Sequence, residues 1–384
     1  MQKHKVMQNN SLMIMFRIMK WCIKMVLVIT GILPLAKCGS GYREEGGKVT
    51  FNGEEITDKS FLVLNDNFGK SDAAAYYKRY SIPGADIATF TGLDKHYAKD
   101  KGAVYYCDEE REGKNYYLTK HSVIINIKDA RPATFSVLGE GYEGYAKDGK
   151  RAYFKGTGFE VKDVTTLAIV SGQFVKDKYL VYFDQAPVKG ADPGSFRVLN
   201  NCYARDTDRI YYFGYHSDLH NGIYEIPCQA ATFTILDYPY SKDANAVFYL
   251  YTRIQDADAA TFSIAGNNFS RDKNHVYSGA KKLTGADAST FRVLPRESSL
   301  DEGNYSKDQY QAYWKDKGFT VTDVAAFMPV GLGYATDGKR VYYKSKMVKD
   351  ADPATFKIYD HGYGDADAED KKGKYLRGIK IEEE

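Results

Sequence analysis

Histidine and carboxylate side chains come closest together in the segment His216-Ser-Asp218-Leu-His220. Imidazole and carboxylate groups can bind a metal ion or exchange protons with a substrate. If this segment met His121 in the folded chain, the four side chains could form the site of a hydrolase. We favour the simpler interpretation, a polar loop, because no further ligand or nucleophile motif accompanies the segment.

Two other segments match functional motifs only in part. Gly139–Gly144 has the letters G-x-G-x-x-G of a dinucleotide-binding loop, but no predicted helix follows it, and the motif requires one. Asp365–Asp370 begins like a calcium-binding loop, yet its sixth position is Asp370 in place of glycine and its twelfth is Leu376. The sequence therefore predicts no enzyme activity, no cofactor and no metal site.

The first 38 residues have the character of a targeting segment. They contain six basic residues and no acidic one, and the apolar run Met25–Ala36 is shorter than the roughly 20 residues of a membrane-spanning helix. Leu35-Ala-Lys-Cys38 resembles the lipobox of bacterial lipoproteins, in which the cysteine is acylated. We predict lipidation at Cys38. Lys37 departs from the usual small residue, so soluble export and an uncleaved anchor stay open.

Three further cysteines follow this segment, namely Cys107, Cys202 and Cys228. Cys202 and Cys228 fall in one repeat unit, so a disulfide between them is a hypothesis for an oxidising compartment. No two cysteines form a C-x-x-C pair, so the sequence does not favour a zinc ribbon.

The rest of the chain repeats one pattern: an aromatic anchor residue, then small-basic-Asp, then a hydrophobic-aromatic-aromatic triplet. Tyr203-Ala-Arg-Asp206 with Ile210-Tyr-Tyr212 is one copy. The anchors lie at 42, 68, 97, 145, 174, 203, 240, 269, 305, 334 and 363, so most are 29 residues apart. The longer intervals contain insertions, which include Glu109–Asn126, Gly214–Asn221 and Pro295–Gly303. We predict a single repeat domain over residues 39–384, with about eleven units.

This layout resembles the DKNYY-repeat family, and Asp272-Lys-Asn-His-Val-Tyr277 is a close literal match to the motif in its name. The resemblance covers about residues 42–378. It implies a protein of the bacterial envelope, frequently a lipoprotein, without an assigned biochemical activity, and it transfers no catalytic residue to this chain.

Each unit should fold as a β-hairpin, because β-branched and aromatic residues flank an Asp-led turn. A second element, Ala-Asp-x-x-Thr-Phe, follows most anchors by about 22 residues, and Asp192-Pro193 and Asp352-Pro353 predict one helical turn there. The apolar pair after its Phe predicts a third short strand. We therefore predict an all-β tandem array, open or superhelical; a closed propeller-like ring is the alternative.

Neighbouring aromatics of a triplet point to opposite faces of a strand, so both faces of the hairpin need cover. We expect the aromatics to be the core between stacked units; a sugar-stacking surface is the alternative. The repeated Asp should form the turn, although a row of cation sites would also fit its spacing. The repeat aromatics are Tyr97, Tyr105, Tyr145, Tyr153, Phe174, Tyr182, Tyr203, Tyr211, Tyr240, Phe248, Tyr305, Tyr313, Tyr334 and Tyr342.

Composition limits the function further. The 384 residues carry a formal charge of +3, with 43% hydrophobic and 14% aromatic residues, which opposes both a polytopic membrane protein and disorder. Without residues 1–38 the charge becomes −3, so we expect no nucleic-acid partner.

We predict a monomeric, non-catalytic, exported binding scaffold for a protein or glycan, which contacts the membrane only through a lipid on Cys38. A carbohydrate-binding protein that uses exposed Tyr and a hydrolase are the alternatives.

Overall fold

The computed structural model describes residues 41–111, 120–139, 144–214, 222–266, 268–295, 305–359 and 365–382. Eleven small antiparallel sheets follow one another along the chain, the first with three strands and the other ten with four. The chain divides into two compact units between Gln173 and Phe174. The predicted all-β tandem architecture is confirmed, and the eleven sheets equal the predicted number of repeats.

The first compact unit contains sixteen strands. They are β1 Tyr42–Glu45, β2 Lys48–Phe51, β3 Glu54–Ile56, β4 Leu62–Val63, β5 Phe68–Lys70, β6 Ala75–Tyr77, β7 Tyr80–Ser81, β8 Thr91–Gly92, β9 Tyr97–Lys99, β10 Val104–Glu110, β11 His121–Asn126, β12 Ser136–Val137, β13 Tyr145–Lys147, β14 Ala152–Phe154, β15 Thr157–Phe159 and β16 Ala168–Ser171.

The second compact unit contains the remaining strands and a short 3-10 helix, Ala230–Thr232. The strands are β17 Phe174–Lys176, β18 Val181–Phe183, β19 Ala186–Pro187, β20 Arg197–Val198, β21 Tyr203–Arg205, β22 Ile210–Tyr212, β23 Tyr224–Ile226, β24 Thr234–Ile235, β25 Tyr240–Lys242, β26 Val247–Tyr249, β27 Thr252–Arg253, β28 Ser263–Gly266, β29 Phe269–Arg271, β30 Val276–Ser278, β31 Lys281–Lys282, β32 Arg292–Val293, β33 Tyr305–Lys307, β34 Ala312–Trp314, β35 Lys317–Phe319, β36 Met328–Gly331, β37 Tyr334–Thr336, β38 Val341–Tyr343, β39 Lys346–Met347, β40 Lys357–Ile358, β41 Ala368–Asp370, β42 Gly373–Leu376 and β43 Ile379–Lys380.

Each four-stranded sheet combines parts of two consecutive repeats. In the sheet β12–β15, Val137 pairs with Ala146, so the strand after the Phe of one repeat joins the anchor strand of the next. The anchor and triplet strands then form the predicted hairpin, in which Tyr145 pairs with Phe154. Because the sheet crosses the boundary between repeats, neither repeat can complete its backbone hydrogen bonds alone.

A fourth strand, which the sequence did not predict, completes these sheets. In the same sheet, Phe154 pairs with Thr157 across a tight turn at Lys155 and Gly156, whose φ angles are 48° and 77°. Positive φ at both central residues is typical of a type I′ hairpin turn. The residue ten positions after the anchor is also left-handed at Lys78, Asp184, Leu250, Gly279, Lys315 and Lys344. The predicted three strands per unit therefore become four.

The helical turn predicted at Asp192-Pro193 and Asp352-Pro353 is a hydrogen-bonded turn, not a helix. Within the described ranges, the 3-10 helix Ala230–Thr232 is the one helical segment, and it follows Gln229, where other repeats have Asp. The Asp residues still act as caps: the Ser195 amide donates to the Asp192 carboxylate at 3.1 Å.

The final repeat begins later than the spacing indicated. The predicted anchor Tyr363 lies outside the described residues, and the first strand of the final hairpin is β41, Ala368–Asp370. Asp370 accepts a hydrogen bond from the Tyr375 hydroxyl at 2.9 Å, as the repeated Asp does in the other hairpins, which puts Asp367 at the anchor position.

The core is a series of aromatic contacts between repeats. All fourteen repeat aromatics named above are at most 3% exposed. In the series Phe269–Phe291–Tyr313, the ring centroids of the anchor and the central Phe are 5.4 Å apart, and Phe291 lies 5.7 Å from the triplet Tyr of the next repeat. Equivalent triads are Phe68–Phe90–Tyr105, Tyr97–Phe135–Tyr153, Phe174–Phe196–Tyr211, Tyr240–Phe262–Tyr277, Tyr305–Phe327–Tyr342 and Tyr334–Phe356–Tyr375.

Every sheet consists of strands that are consecutive in sequence, so in the described part of the chain no sheet joins its two ends. Propeller rings commonly close through such a sheet, and the ring alternative is therefore not realised. No helix among the described residues is long and apolar enough to cross a membrane.

Candidate functional site

The carboxylate of the repeated Asp accepts hydrogen bonds from its own hairpin and from the preceding repeat, and we call this arrangement the Asp hub. In Asp272, Oδ1 accepts from the amides of Asn274 and His275, both at 2.7 Å, which closes the hairpin turn. Oδ2 accepts from the Tyr277 hydroxyl at 2.8 Å and from the amide of Asp258, in the preceding repeat, at 2.9 Å. A carboxylate with four protein donors is occupied by the fold, and this favours the turn interpretation over a row of cation sites.

The same arrangement affects the protonation of these carboxyl groups. Burial alone would raise the pKa of Asp272, but its hydrogen bonds outweigh burial and hold the pKa below the ordinary value. The direction is the same at Asp100, Asp148, Asp206, Asp337 and Asp370. These groups are therefore carboxylates at neutral pH, and none has the raised pKa of a general acid.

The basic residue before each Asp also has a structural role. Lys307 is 4% exposed, and its Nζ donates to the carbonyl oxygens of Val324, Ala325 and Phe327 at 2.7, 2.8 and 2.9 Å. Burial lowers the pKa of Lys307. The turn at Asp323 is thus held twice: Lys307 of its own hairpin binds its carbonyls, and Asp337 of the next hairpin accepts from its first amide.

The anchor tyrosines use their hydroxyls in the same way. Tyr240 Oη donates to the Asn268 carbonyl at 2.7 Å, and Tyr305 Oη donates to the Gly333 carbonyl at 2.7 Å, in each case to the residue before the next anchor. Burial raises the pKa of Tyr240 to about 12, so its hydroxyl stays protonated as a donor. The most frequent polar groups of the repeat thus bind the next repeat.

Most residues of the hydrolase hypothesis lie outside the described part of the chain. His121 is exposed at the start of β11, while His216, Asp218 and His220 lie outside the described residues. Cys38 also lies outside them. Within the described ranges, no group of three or more His, Cys, Asp or Glu side chains could hold a metal ion.

The proposed Cys202–Cys228 disulfide does not fit the sheet β20–β23. Both cysteines are free thiols. Because Tyr203 pairs with Tyr212 and Ile210 with Ile226, Cys202 is level with residue 213 and Cys228 with residue 208. Five residues along a strand span about 16 Å, whereas disulfide-bonded Cα atoms are roughly 4.4–6.8 Å apart.

The first insertion builds a cleft in the first compact unit. Strand β10 extends to Glu110 and pairs with β11, so residues of the predicted insertion Glu109–Asn126 form one wall. The cleft has a volume of about 560 Å³ and is lined by Gly41, Phe51, Asn52, Asn67, Tyr77, Lys78, Lys95, His96, Asp108, Glu109, Arg111 and Lys120. The lining residues come from three consecutive repeats, so stacking is needed to form it.

Glu109 organises the basic side chains of this cleft. Its Oε2 lies 2.6 Å from Lys78 Nζ and 3.1 Å from Lys120 Nζ. Burial acts to raise the pKa of Glu109, but the hydrogen bonds and charges of the two lysines prevail and hold it below its usual range. The side chains of Lys78 and Glu109 are each 18% exposed, so this ion pair is a fixed part of the wall.

His96 lies against the same wall. Its Nδ1 is 3.1 Å from the Cys107 carbonyl oxygen and 3.7 Å from Asp108 Oδ1, and its ring stacks on Tyr106 at 5.7 Å. The neighbouring Cys107 thiol is buried, and burial raises its pKa, which makes it a poor nucleophile.

Basic side chains outnumber acidic ones in this cleft. Lys78, Lys95, Arg111 and Lys120 face only two carboxylates, those of Asp108 and Glu109. Such a lining suits an anionic group of a ligand. Sequence reasoning did not find this site, because its residues are far apart in the repeat alignment. The insertion at 109–126 was the one available signal.

Fold and contacts define an all-β tandem-repeat protein whose repeats interlock through aromatic rings and a shared Asp. The DKNYY family model matches residues 5–109, 110–252, 210–281 and 240–379, and the chain belongs to this family. No curated protein and no solved structure matches the chain.

Proposed function

We propose that this chain is an exported, non-catalytic binding scaffold of a bacterial envelope, held at a membrane through a lipid on Cys38. Its ligand is a protein or glycan that places an acidic group in the cleft formed by the first insertion. The observation that carries the proposal is this cleft, which is lined by four basic side chains and two carboxylates and contains the partly buried Lys78–Glu109 ion pair.

The polar groups of the repeats support a scaffold over an enzyme. In most repeats, the repeated Asp, the basic residue before it and the anchor Tyr hydroxyl are engaged in hydrogen bonds within and between repeats, as Asp272, Lys307 and Tyr240 show. The alternative in which repeat tyrosines stack on sugars loses its basis, because these rings are buried. The hydrolase alternative depends on His216, Asp218 and His220, which lie outside the described residues.

The cleft can be tested with short ligands that carry one acidic group. We expect Arg111→Gln with Lys120→Gln to weaken binding of glucuronic acid or an acidic tripeptide about tenfold, because two cationic contacts are lost. Isothermal titration of the full chain at low salt measures this effect. Lys48→Gln with Lys101→Gln is the matched control, since it removes the same charge from exposed lysines that line no cleft. Equal losses in both pairs, or no binding by the wild type, would contradict the cleft assignment.

The tether is tested separately from the cleft. In cells that express the full chain, we expect radiolabelled fatty acid to be incorporated into the wild type and not into Cys38→Ala, because acylation requires the thiol. Fluorography of the immunoprecipitated protein measures incorporation. Cys202→Ala is the control and should be labelled like the wild type; an unlabelled wild type would refute lipidation.

A further inference from the structure

The last five sheets of the second compact unit each expose positive charge on their fourth strand. These edge strands are β27, β31, β35, β39 and β43, and none contains an acidic residue. Their basic residues, called the edge cations below, are all exposed: Arg253, Lys281, Lys282, Lys317, Lys346 and Lys380.

The edge cations differ from another periodic set of lysines in the same repeats. Lys273, Lys339 and Lys371 form ion pairs with Asp258, Asp323 and Asp352, with N–O distances of 2.7, 3.7 and 2.5 Å. The edge cations have no ion pair or side-chain hydrogen bond among the described residues. Their charge is therefore available to a partner, whereas that of the paired lysines is largely compensated.

Packing holds successive edge strands in series. Tyr305 Oη lies 2.9 Å from the Lys344 carbonyl oxygen, and the Gly378 amide donates to Tyr334 Oη at 2.7 Å. Each contact fixes the turn that leads into the edge strand of the next repeat. Sheets that pack face to face are about 10 Å apart, close to the Debye length of roughly 8 Å at physiological ionic strength, so a chain-like ligand could contact edge cations of successive repeats.

Protection of the sheet edges does not explain this pattern by itself. Lysine on an edge strand does oppose aggregation. Yet the equivalent strands β7, Tyr80–Ser81, and β19, Ala186–Pro187, contain no charged residue. A sheet edge can be protected without cations. Edge protection also gives no reason why the edge strands of five consecutive sheets all carry positive charge.

We propose that the edge cations bind a linear anionic glycan, whose regularly spaced carboxylate or phosphate groups contact successive repeats. A polymer fits better than a small ion, because each edge strand offers only one or two exposed cations. A single-stranded nucleic acid is disfavoured, because its binding relies on exposed aromatics. The one aromatic in these strands, Phe319, packs against Phe327 at 5.8 Å.

The test compares two triple variants of the full chain that lose the same charge. We expect the wild type to bind polygalacturonate or poly(glycerol phosphate) of about 20 units, and neutral dextran not at all. Lys281→Gln with Lys317→Gln and Lys346→Gln should weaken binding about tenfold and reduce its salt dependence. Lys273→Gln with Lys339→Gln and Lys371→Gln should stay within about twofold of the wild type.

Comparison of the two polymers distinguishes carboxylate from phosphate as the preferred group, and preference for either supports the proposal. Equal losses in both triple variants would reduce the effect to net charge and overturn it. Absence of binding to both polymers at low salt, or binding to DNA alone, would also overturn it. Because the short ligands of the cleft are tested with other variants, this proposal and the cleft assignment can fail independently.

Discussion

Phe291→Ala is expected to lower the free energy of unfolding by about 4 kcal/mol, the largest effect of any single substitution considered for this chain. The ring is 3% exposed and packs between Phe269 of its own repeat and Tyr313 of the next, so its removal opens a cavity at the contact between two repeats. Urea denaturation followed by tyrosine fluorescence measures the change.

The transition should also change in shape. In a tandem array, cooperativity depends on the interfaces between neighbours, so a weakened interface favours unfolding in two steps. Tyr310→Ala is the control: this residue is 69% exposed, and its loss should change stability by less than about 0.5 kcal/mol. Similar destabilisation by both substitutions would refute the role assigned to the aromatic triads.

Asp272→Ala is expected to cost about 3 kcal/mol, because it leaves the buried donors of the hairpin turn and of Asp258 without an acceptor. Asp272→Asn should cost less: its oxygen still closes the turn, but its amide nitrogen cannot accept from the Asp258 amide. Asp256→Asn is the matched control at an exposed position. Equal stability of Asp272→Ala and the wild type in urea would show that the hub is dispensable.

The pH dependence of stability gives the same prediction a second measurement. Since the pKa of Asp272 is lower in the folded chain than its ordinary value, its contribution is present above about pH 4 and is lost as the pH falls through the folded pKa. Urea denaturation between pH 7 and pH 3 should therefore show a fall below pH 4 in the wild type. The fall should be smaller in Asp272→Ala. A wild type more stable at pH 3 than at pH 7 would contradict the assignment.

Much of the fold follows from spacing alone. The anchors from Tyr42 to Tyr334 coincide with the first residues of strands, as Tyr97 does for β9 and Tyr334 for β37. The alternation of side chains along the triplet correctly predicted that both faces of the hairpin are covered. The middle residue of one triplet, Tyr277, contacts Phe262 of the preceding repeat. The last residue of another triplet, Phe154, contacts Tyr145 of its own hairpin.

The fourth strand was missed because its turn has the usual residues in only one copy, Asn52-Gly53 of the first sheet. Asn-Gly or Asp-Gly would have indicated a hairpin. Here Lys78, Leu250 and Lys344 adopt positive φ in that turn, and none of these types favours it locally. Packing against the preceding repeat imposes the conformation, as the contact between Tyr305 and Lys344 shows.

The candidate site was less predictable than the fold. The cleft depends on residues about 70 positions apart, such as Phe51 and Lys120, which stacking brings together. The edge cations could not be recognised as a set in the sequence, because they lie on the fourth strand, which the sequence did not predict. The role of the basic residue before the repeated Asp could not be predicted from the repeat pattern; Lys307 shows that it binds carbonyl oxygens of the following turn.

The contacts of the repeated Asp limit which changes in the length of the repeat array preserve the fold. Each repeat offers its neighbour the same amide and accepts the same aromatic ring, so a recombination that deletes one full period joins two surfaces that already fit. A deletion of any other length would place Asp opposite the wrong amide. Gain or loss of whole periods is therefore expected to preserve the contacts between repeats.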